Sequence, residues 1–308
     1  MTRKEVRNFF ITIVLFGLAA LLPLTGTGYW LSTGVTIATY MVLSTSWALF
    51  SGPTHYISLA TGAFYGVGMF IVGLGIEQLP YWTLVTLAGA VGAVLAALVG
   101  LATLRLSGVY FVIFTLGLAE FIRQIVTWVQ TTMGSSSGLY VLTDITESII
   151  YWELLVLGLI VYLLGWWINR SRLGFSLRII GNDEIVAVHS GINTAYAKII
   201  LFIISGIIAT LVGAVLAPRL SYIESNIAFS PMLSFIVVIT ALLGGAQKLW
   251  GPIVGVIPFM LVWDFLTATF PNQTTLMLGI CFLLIVYAIP NGFAGLIEKH
   301  SLRLRERG

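Results

Sequence analysis

The sequence has few charged residues: Asp, Glu, Lys and Arg make up 9% of its 308 residues, whereas soluble domains carry about a quarter. Hydrophobic residues account for 58%, and the mean hydropathy is +1.02. These values exclude a soluble protein and indicate an integral membrane protein. The net charge of +3 would suggest a nucleic-acid partner in a soluble chain. Here the basic residues flank apolar runs instead, so no nucleic-acid partner is expected.

Signatures of enzymatic chemistry are also scarce. The chain has one cysteine, Cys281, which excludes an intramolecular disulfide and a cysteine-based metal cluster. The three histidines, His55, His189 and His300, are scattered and do not form the H-E-x-x-H spacing of a zinc site. No lysine follows a glycine, so a G-K-[ST] phosphate loop is missing. We therefore expect no catalytic residue, metal or cofactor in this chain.

Long apolar runs separated by short polar turns predict an all-α membrane protein, since a membrane-spanning barrel would show short alternating segments. Most of the runs approach the roughly 20 residues that span a bilayer. They are Phe9–Leu24, Tyr29–Phe50, Tyr56–Ile76, Tyr81–Leu104, Val109–Val129, Ile149–Ile168, Tyr196–Ala217, Ile227–Leu243, Pro252–Phe270 and Thr275–Ile289. The first could be a signal peptide or a retained helix, and we favour the retained helix. The run Ile227–Leu243 contains Pro231, which predicts a kink or a break. The sequence thus predicts about ten membrane helices in one domain, residues 1–308.

The distribution of lysine and arginine gives the orientation, because cytoplasmic loops collect positive charge. With ten spans and a cytoplasmic N-terminus, 13 of the 15 basic residues fall on the cytoplasmic side. These are Arg3, Lys4, Arg7, Arg105, Arg170, Arg172, Arg178, Lys198, Lys248, Lys299, Arg303, Arg305 and Arg307. Only Arg123 and Arg219 lie in or beyond the outward halves. Both termini are therefore predicted to be cytoplasmic.

One long polar passage, residues 169–198, interrupts the apolar chain on the predicted cytoplasmic side. A short helix is predicted from Asp183 to Ser190, with Asn182 or Asp183 as its N-cap and Gly191 as its stop. About two turns of helix are not stable alone in water. The helix therefore either lies on the membrane with its apolar residues buried, docks into a partner, or is part of a solvated connector.

Polar residues inside the apolar runs are the candidates for function. Glu120 and Arg123 are three residues apart and can pair on one helix face; a self-neutralising pair near the outer boundary is the ordinary explanation. Thr61, Thr115 and Thr240 are candidates for a polar lining of a solute pathway, chosen because they are polar residues within apolar runs.

Five strings in order resemble the permease subunits of branched-chain amino-acid ABC importers, of the LivM type. The resemblance covers about Ser51 to Leu296. The strings are Leu104-Arg105-Leu106-Ser107-Gly108-Val109-Tyr110-Phe111 with Thr115-Leu116-Gly117; Ser171-Arg172-Leu173-Gly174; Asn182-Asp183-Glu184 with Ala187 and Gly191-Ile192-Asn193; Gly244-Gly245 with Leu249-Trp250-Gly251-Pro252; and Pro290-Asn291-Gly292 with Gly295-Leu296. The chain departs from that pattern at Ser58–Phe64, where Thr61 stands in place of the usual histidine.

The resemblance implies a multi-pass subunit of the bacterial inner membrane that forms half of a translocation pathway. Residues 169–198 would be the cytoplasmic coupling loop, and its short helix, with Asp183, Glu184, Ala187 and Gly191, would contact an ATPase. The implied partners are a second related permease subunit, two ATP-binding subunits that hydrolyse ATP, and an extracytoplasmic solute-binding protein. That protein would dock near Arg123, Ser135–Gly138 and Arg219. Branched-chain amino acids, other amino acids, urea and amides are all open as solutes.

The alternative to an ABC permease is a self-sufficient secondary transporter or channel for a small polar solute. Such a protein would usually carry an ionisable relay through its core, and here only Glu120 and Asp264 could contribute to one. The sequence therefore favours the ABC permease.

Overall fold

The computed structural model of the protein describes residues 12, 14–25, 28–104, 106, 108–133, 138–288 and 292–295. These residues form mainly α-helices, numbered here in chain order. They are α1 (Val14–Leu24), α2 (Gly28–Thr54), α3 (Thr61–Gly75), α4 (Tyr81–Thr103), α5 (Val109–Met133), α6 (Glu147–Ile168), α7 (Arg172–Asn182), α8 (Glu184–His189), α9 (Thr194–Leu216), α10 (Ser225–Ala228), α11 (Pro231–Gly244), α12 (Gly251–Thr269) and α13 (Thr274–Ala288).

Among the described residues, seven stretches are long and apolar enough to cross a membrane: the helices α2, α4, α5, α6, α9 and α12, and the combined stretch Ser225–Gly244 of α10 and α11. Helices α1 and α3 are shorter apolar helices. The prediction of an all-α membrane protein is confirmed. Several residues used in the predictions lie outside the described residues. They are the basic residues Arg3, Lys4, Arg7, Arg105 and those from Lys299 to Arg307, residues 9–11 and 13 of the run Phe9–Leu24, and the loop residues Ser135–Ser137.

Helix α9 lies at the centre of the bundle, in contact with α2, α3, α4 and α6. Glycines allow these helices to approach with backbone against backbone. A side chain at Gly68 of α3 would meet the carbonyl oxygen of Thr210, and one at Gly213 of α9 would meet that of Tyr65. Because lipid offers no hydrophobic drive for helix association, such close packing is what stabilises a membrane bundle.

The run Tyr56–Ile76 was predicted as one helix, but residues 55–60 are not helical and α3 begins only at Thr61. Side chains from other helices hydrogen-bond the backbone of this unwound segment. Trp47 Nε1 donates to the Ser58 carbonyl at 2.8 Å, and Ser234 Oγ donates to the Leu59 carbonyl at 2.9 Å. Leu59 N in turn donates to Thr115 Oγ1 at 3.1 Å. Non-helical backbone at membrane depth is tolerated where protein satisfies it in this way.

The predicted interruption of the run Ile227–Leu243 is confirmed, because α10 ends at Ala228 and α11 begins at Pro231. Pro231 occupies the first turn of α11, where its missing N–H costs nothing. Ser234, one turn further, also accepts a hydrogen bond from Gly62 N at 2.9 Å. The start of α11 therefore packs directly on the start of α3.

The two ends of the bundle differ in character. Strand β1 (Gly138–Tyr140) pairs antiparallel with β2 (Tyr222–Glu224) beyond the C-terminal end of α9. The two strands are connected through helices α6 to α9 rather than by a tight turn, and we call the end of the bundle where they pair the hairpin end. Opposite it lies the polar-loop end, formed by residues 169–193 and the turn 245–250. One short helix was predicted in the polar passage, but the structure has two, since α7 precedes α8.

Candidate functional site

The short helix α8 at the polar-loop end begins and ends as the sequence predicts. Asp183 is its N-cap, and its Oδ1 accepts hydrogen bonds from the backbone N–H groups of Ile185 at 2.8 Å and Val186 at 3.2 Å. Gly191 follows the helix with a φ of +79°, a conformation that glycine adopts without strain. The Asp183 cap and the Gly191 stop are therefore confirmed as local structure.

Helix α8 has one buried contact and a broad apolar surface. Ala187 is fully buried against the protein, so a larger side chain would push the helix away. Ile185, Val186 and Val188 are 69%, 52% and 55% exposed. A six-residue helix with three exposed branched aliphatic residues presents a surface suited to a partner or to the membrane boundary.

Three side chains hold α8 to the membrane helices. Lys198, in the second turn of α9, is only 3% exposed and donates a hydrogen bond from Nζ to Glu184 Oε1 at 2.5 Å. The same ammonium lies 3.2 Å from the hydroxyl of Tyr56 and 4.4 Å from the centre of its ring. The Tyr56 hydroxyl donates to Glu184 Oε2 at 3.3 Å. A buried lysine requires such pairing, because its charge is costly away from water.

This cluster of Tyr56, Glu184 and Lys198 is connected to the unwound segment. Tyr56 is the second residue after the end of α2, and its ring packs edge-on against Phe111 of α5 at 5.3 Å between ring centres. Thr115, one turn along α5, holds Leu59. Helix α8 is therefore connected, through the Tyr56 hydroxyl, to residues 55–60 and to the first turns of α5.

A cavity of about 720 Å³ opens beside α7 at the polar-loop end. Basic residues are prominent in its wall, including Arg170, Arg178 and Lys248, together with His55 and Gln247. Arg170 also stacks over the ring of Trp166, 4.0 Å from its centre. The polar-loop end thus offers a basic depression next to the exposed apolar residues of α8.

Helix α5 carries a second arrangement of polar residues, which lies on one face of the helix. They recur three or four residues apart, so they form a polar stripe: Glu120, Arg123, Gln124, Thr127 and Thr131. The predicted pairing of Glu120 with Arg123 is confirmed by a bidentate ion pair. Arg123 Nη1 also donates to Asn226 Oδ1 of α10 at 2.5 Å, and Gln124 Nε2 to Glu120 Oε1 at 2.9 Å.

The three predicted pathway threonines lie in the packed interior. Thr115 and Thr240 are fully buried, and Thr61 is 7% exposed. The hydroxyl of Thr240 lies 2.6 Å from that of Ser44 of α2, and that of Thr115 holds Leu59 N. The structure places Thr61 and Thr115 at the two sides of the unwound segment, and Thr240 on α11, away from both.

Arg219, predicted for docking, lies at the hairpin end, where it joins three elements. Its Nε donates to Glu147 Oε1 of α6 at 3.2 Å, and its Nη2 donates to Ser32 Oγ of α2 at 2.7 Å. Arg123 lies nine residues before the end of its apolar segment at Thr132 and contacts Asn226, which follows β2 by two residues.

The sequence reasoning missed Tyr56, Ser234 and the burial of Lys198. Lys198 was predicted only as one of the basic residues on the cytoplasmic side. Its place four residues after the start of an apolar helix could have indicated that it is buried against a partner. Tyr56 and Ser234 carry no local signal, because their importance depends on residues more than 100 positions away. Among the described residues, no group of three His, Cys, Asp or Glu side chains could hold a metal ion.

Long apolar helices and glycine-mediated packing define a multi-pass membrane protein, with a short helix that exposes apolar side chains at its polar-loop end. The family described as the permease component of branched-chain amino acid transport systems matches residues 29–289. The chain belongs to this family and is a permease subunit of an ABC importer. The self-sufficient secondary transporter considered from the sequence is not favoured.

Relatives differ in how much of the chain they cover. The high-affinity branched-chain amino acid transport system permease protein LivM of Salmonella typhimurium is 26% identical over 287 residues, which cover 82% of this chain and 67% of the relative. LivM of Escherichia coli K12 gives the same identity and coverage. The D-allose transport system permease protein AlsC of Escherichia coli K12 is 31% identical over 105 residues, 32% of each chain.

Proposed function

We propose that this chain forms half of the translocation pathway of an inner-membrane ABC importer for branched-chain or related amino acids. It would span the membrane about ten times as a single domain, residues 1–308, with both termini in the cytoplasm. The observation that carries the proposal is the exposed apolar face of α8, anchored to the bundle by the Glu184–Lys198 pair. The family and its LivM relatives support the solute class.

Helix α8 is the proposed coupling helix, within the coupling loop 169–198. Ile185, Val186 and Val188 would fill a groove of a cytoplasmic ATP-binding subunit, which hydrolyses ATP. Asp183 and Gly191 fix the two ends of the helix, Ala187 seats it, and Glu184 links it to α9 and Tyr56. Movement of the ATP-binding subunit would then shift the unwound segment next to Thr61 and Thr115, and with it the polar lining that we propose for these residues and Thr240.

A second, related permease subunit is the proposed neighbour of α5. Only 17% of the residues in the most apolar stretch of this helix are buried within the subunit, yet the helix carries the polar stripe. A stripe with two charges facing lipid would be costly, so another protein surface or an aqueous pathway is the better neighbour. Two such subunits would enclose the pathway between them.

The proposed docking surface for an extracytoplasmic solute-binding protein is the hairpin end. Tyr140 and Leu142 are 67% and 83% exposed there, and Arg219 holds this end together. Arg123, whose side chain is 22% exposed, is linked to this end by its hydrogen bond to Asn226 of α10. Delivery of solute at this end and closure of the ATP-binding subunits at the other would switch access between the two sides.

The proposal is tested by purifying the tagged chain from a membrane that contains its partners. We expect two ATP-binding subunits and a second permease to copurify. Replacement of Ile185 and Val188 by Asp should reduce the copurified ATP-binding subunit at least tenfold and abolish uptake, while the chain still inserts. Leu142→Asp, an equally drastic change at the hairpin end, should leave the copurified amount unchanged.

Two results would contradict the proposal. One is unchanged copurification and uptake in the Ile185→Asp, Val188→Asp variant. The other is ATP-independent leucine uptake by the purified single chain in liposomes.

A further inference from the structure

The polar stripe of α5 makes few contacts with the other helices of this subunit. Glu120 has 47% of its side chain exposed and Arg123 has 22%, and Gln124 is exposed as well. Their hydrogen bonds connect them mainly to one another. Within the described residues, Asn226 is the partner that links this group to another helix.

The Glu120–Arg123 pair lies near the middle of its membrane segment. The segment runs from Val109 to Thr132, and Glu120 is eleven residues from its first residue and twelve from its last. At 1.5 Å per residue, Glu120 is about 17 Å from either end, and Arg123 is about 14 Å from the C-terminal end. Ionisable residues at this depth are expensive and typically mark a solute pathway.

The pair keeps hydrogen-bonding capacity on both of its charges. The Arg123 guanidinium has five N–H donors; two are directed to Glu120 and one to Asn226. Two donors therefore remain for an anion. The Glu120 carboxylate accepts two hydrogen bonds from Arg123 and one from Gln124, which leaves room on Oε2 for one more donor.

An apolar strip continues the stripe toward the polar-loop end. Gly117 lies one turn before Glu120, and a β-carbon placed there would meet no atom within 4 Å. Ile113, a further turn along the same face, is 63% exposed. The face of α5 thus offers, in order, an aliphatic contact, an open space and a pair of opposite charges.

We propose that the Glu120–Arg123 pair, with Asn226 and Gly117, is a binding site for zwitterionic amino acids within the translocation pathway. The carboxylate of the solute binds the two remaining N–H donors of Arg123, and its ammonium binds Glu120 Oε2. Its aliphatic side chain lies over Gly117 against Ile113. The site rests on the proposed function, since it requires α5 to face the pathway.

The first test neutralises both charges in the complete reconstituted importer. A single neutral variant would leave an unpaired charge, so the informative variant is Glu120→Gln combined with Arg123→Gln. We expect at least a tenfold rise in the KM for leucine uptake, with normal assembly and basal ATP hydrolysis. Glu153→Gln removes a carboxylate that is bound to Tyr81 on a different helix and should leave the KM for leucine uptake unchanged.

The second test measures occupancy of the site directly, and it does not depend on the folding of the charge variant. Gly117→Cys in a Cys281→Ala background places the only thiol of this chain beside the Glu120–Arg123 pair. Labelling of this thiol by a small thiol reagent is followed in the complete importer. Millimolar leucine should slow labelling at least threefold. The monovalent analogues 4-methylpentanoate and 3-methylbutylamine, each of which keeps one of the two charges, should not.

The outcomes separate the site from the function it rests on. Unchanged KM in the double variant, or equal labelling with and without leucine, overturns the site while the importer remains an importer. Equal protection by one monovalent analogue overturns recognition of the zwitterion. Absence of any amino-acid uptake by the unmodified complex would instead overturn the proposed function.

Discussion

Helices α5 and α9 are similar in length but differ in how they are used. In their most apolar stretches, 61% of the residues of α9 are buried within the subunit, against 17% for α5. Helix α9 has a glycine, Gly213, where its backbone meets that of α3. Helix α5 has an ion pair and open space. The difference shows that α9 holds the subunit together, whereas the subunit itself leaves most of α5 exposed.

The strongest test of this comparison introduces the same substitution, glycine to valine, at the contact of α3 with α9 and on α5. Gly68→Val should cost at least about 3 kcal/mol, because the new side chain meets the Thr210 backbone of α9, which cannot move aside as a side chain can. A β-carbon at Gly117 of α5 meets no atom within 4 Å, so Gly117→Val should change stability by less than about 0.5 kcal/mol, as valine is a better helix former than glycine.

Thermal unfolding in detergent, with size-exclusion profiles, measures both variants. Equal losses of stability would show that α5 is packed as tightly as α9.

An intermediate effect is expected from the two ion pairs. Glu184→Gln leaves Lys198 buried without its partner and should cost about 2 kcal/mol. Glu120→Gln leaves Arg123 partly exposed and still bonded to Asn226, and should cost less than about 1 kcal/mol in the isolated, detergent-solubilised subunit. Adding Lys198→Met to Glu184→Gln should recover part of the loss, because no charge is then left buried.

The denaturation midpoints of Glu184→Gln, Glu120→Gln and the double variant Glu184→Gln, Lys198→Met measure these three changes in stability. A larger loss from Glu120→Gln than from Glu184→Gln would reverse the assignment of structural and pathway roles to the two pairs.

The smallest effect concerns two threonines that make the same hydrogen bond. Thr210 of α9 and Thr127 of α5 each donate to the carbonyl four residues earlier. Such bonds add little to helix stability, so Thr210→Val and Thr127→Val should each change it by about 0.5 kcal/mol or less. Only Thr127→Val should lower uptake, by about two- to fivefold, because Thr127 belongs to the polar stripe.

Uptake by the reconstituted complex and unfolding of the isolated subunit are measured on the same preparations. A loss of uptake in Thr210→Val alone would contradict the contrast between the helices.

Local features of the chain could be predicted from the sequence. The apolar runs predicted the helices, Pro231 the break before α11, and Asp183 and Gly191 the two ends of α8. The pairing of Glu120 with Arg123 followed from their spacing. Each of these depends on residues a few positions apart, where helix geometry alone relates them.

Features that depend on distant residues could not be predicted. Ser58, Leu59 and Ala60 continue an apolar run and look helical, but Trp47, Thr115 and Ser234 stabilise them in an unwound form. Helix α7 was missed because its charges were taken as part of a connector. The polar residues chosen for the pathway, Thr61, Thr115 and Thr240, were selected by polarity alone, and polarity does not reveal which face of a helix remains exposed.

One consequence follows from the continuity of α9. The helix runs from Thr194 to Leu216, about 34 Å at 1.5 Å per residue, and a short 3-10 turn carries it on to Arg219. Near its beginning Lys198 donates a hydrogen bond to Glu184, and just after its end Arg219 donates hydrogen bonds to Glu147 and Ser32. One continuous helix therefore spans most of the distance between these two sets of contacts, and a single turn that contains Pro218 completes it. On the proposed function, a tilt of α9 at the Glu184 contact would also displace the Arg219 contact, so the nucleotide cycle would be linked to the affinity for the solute-binding protein.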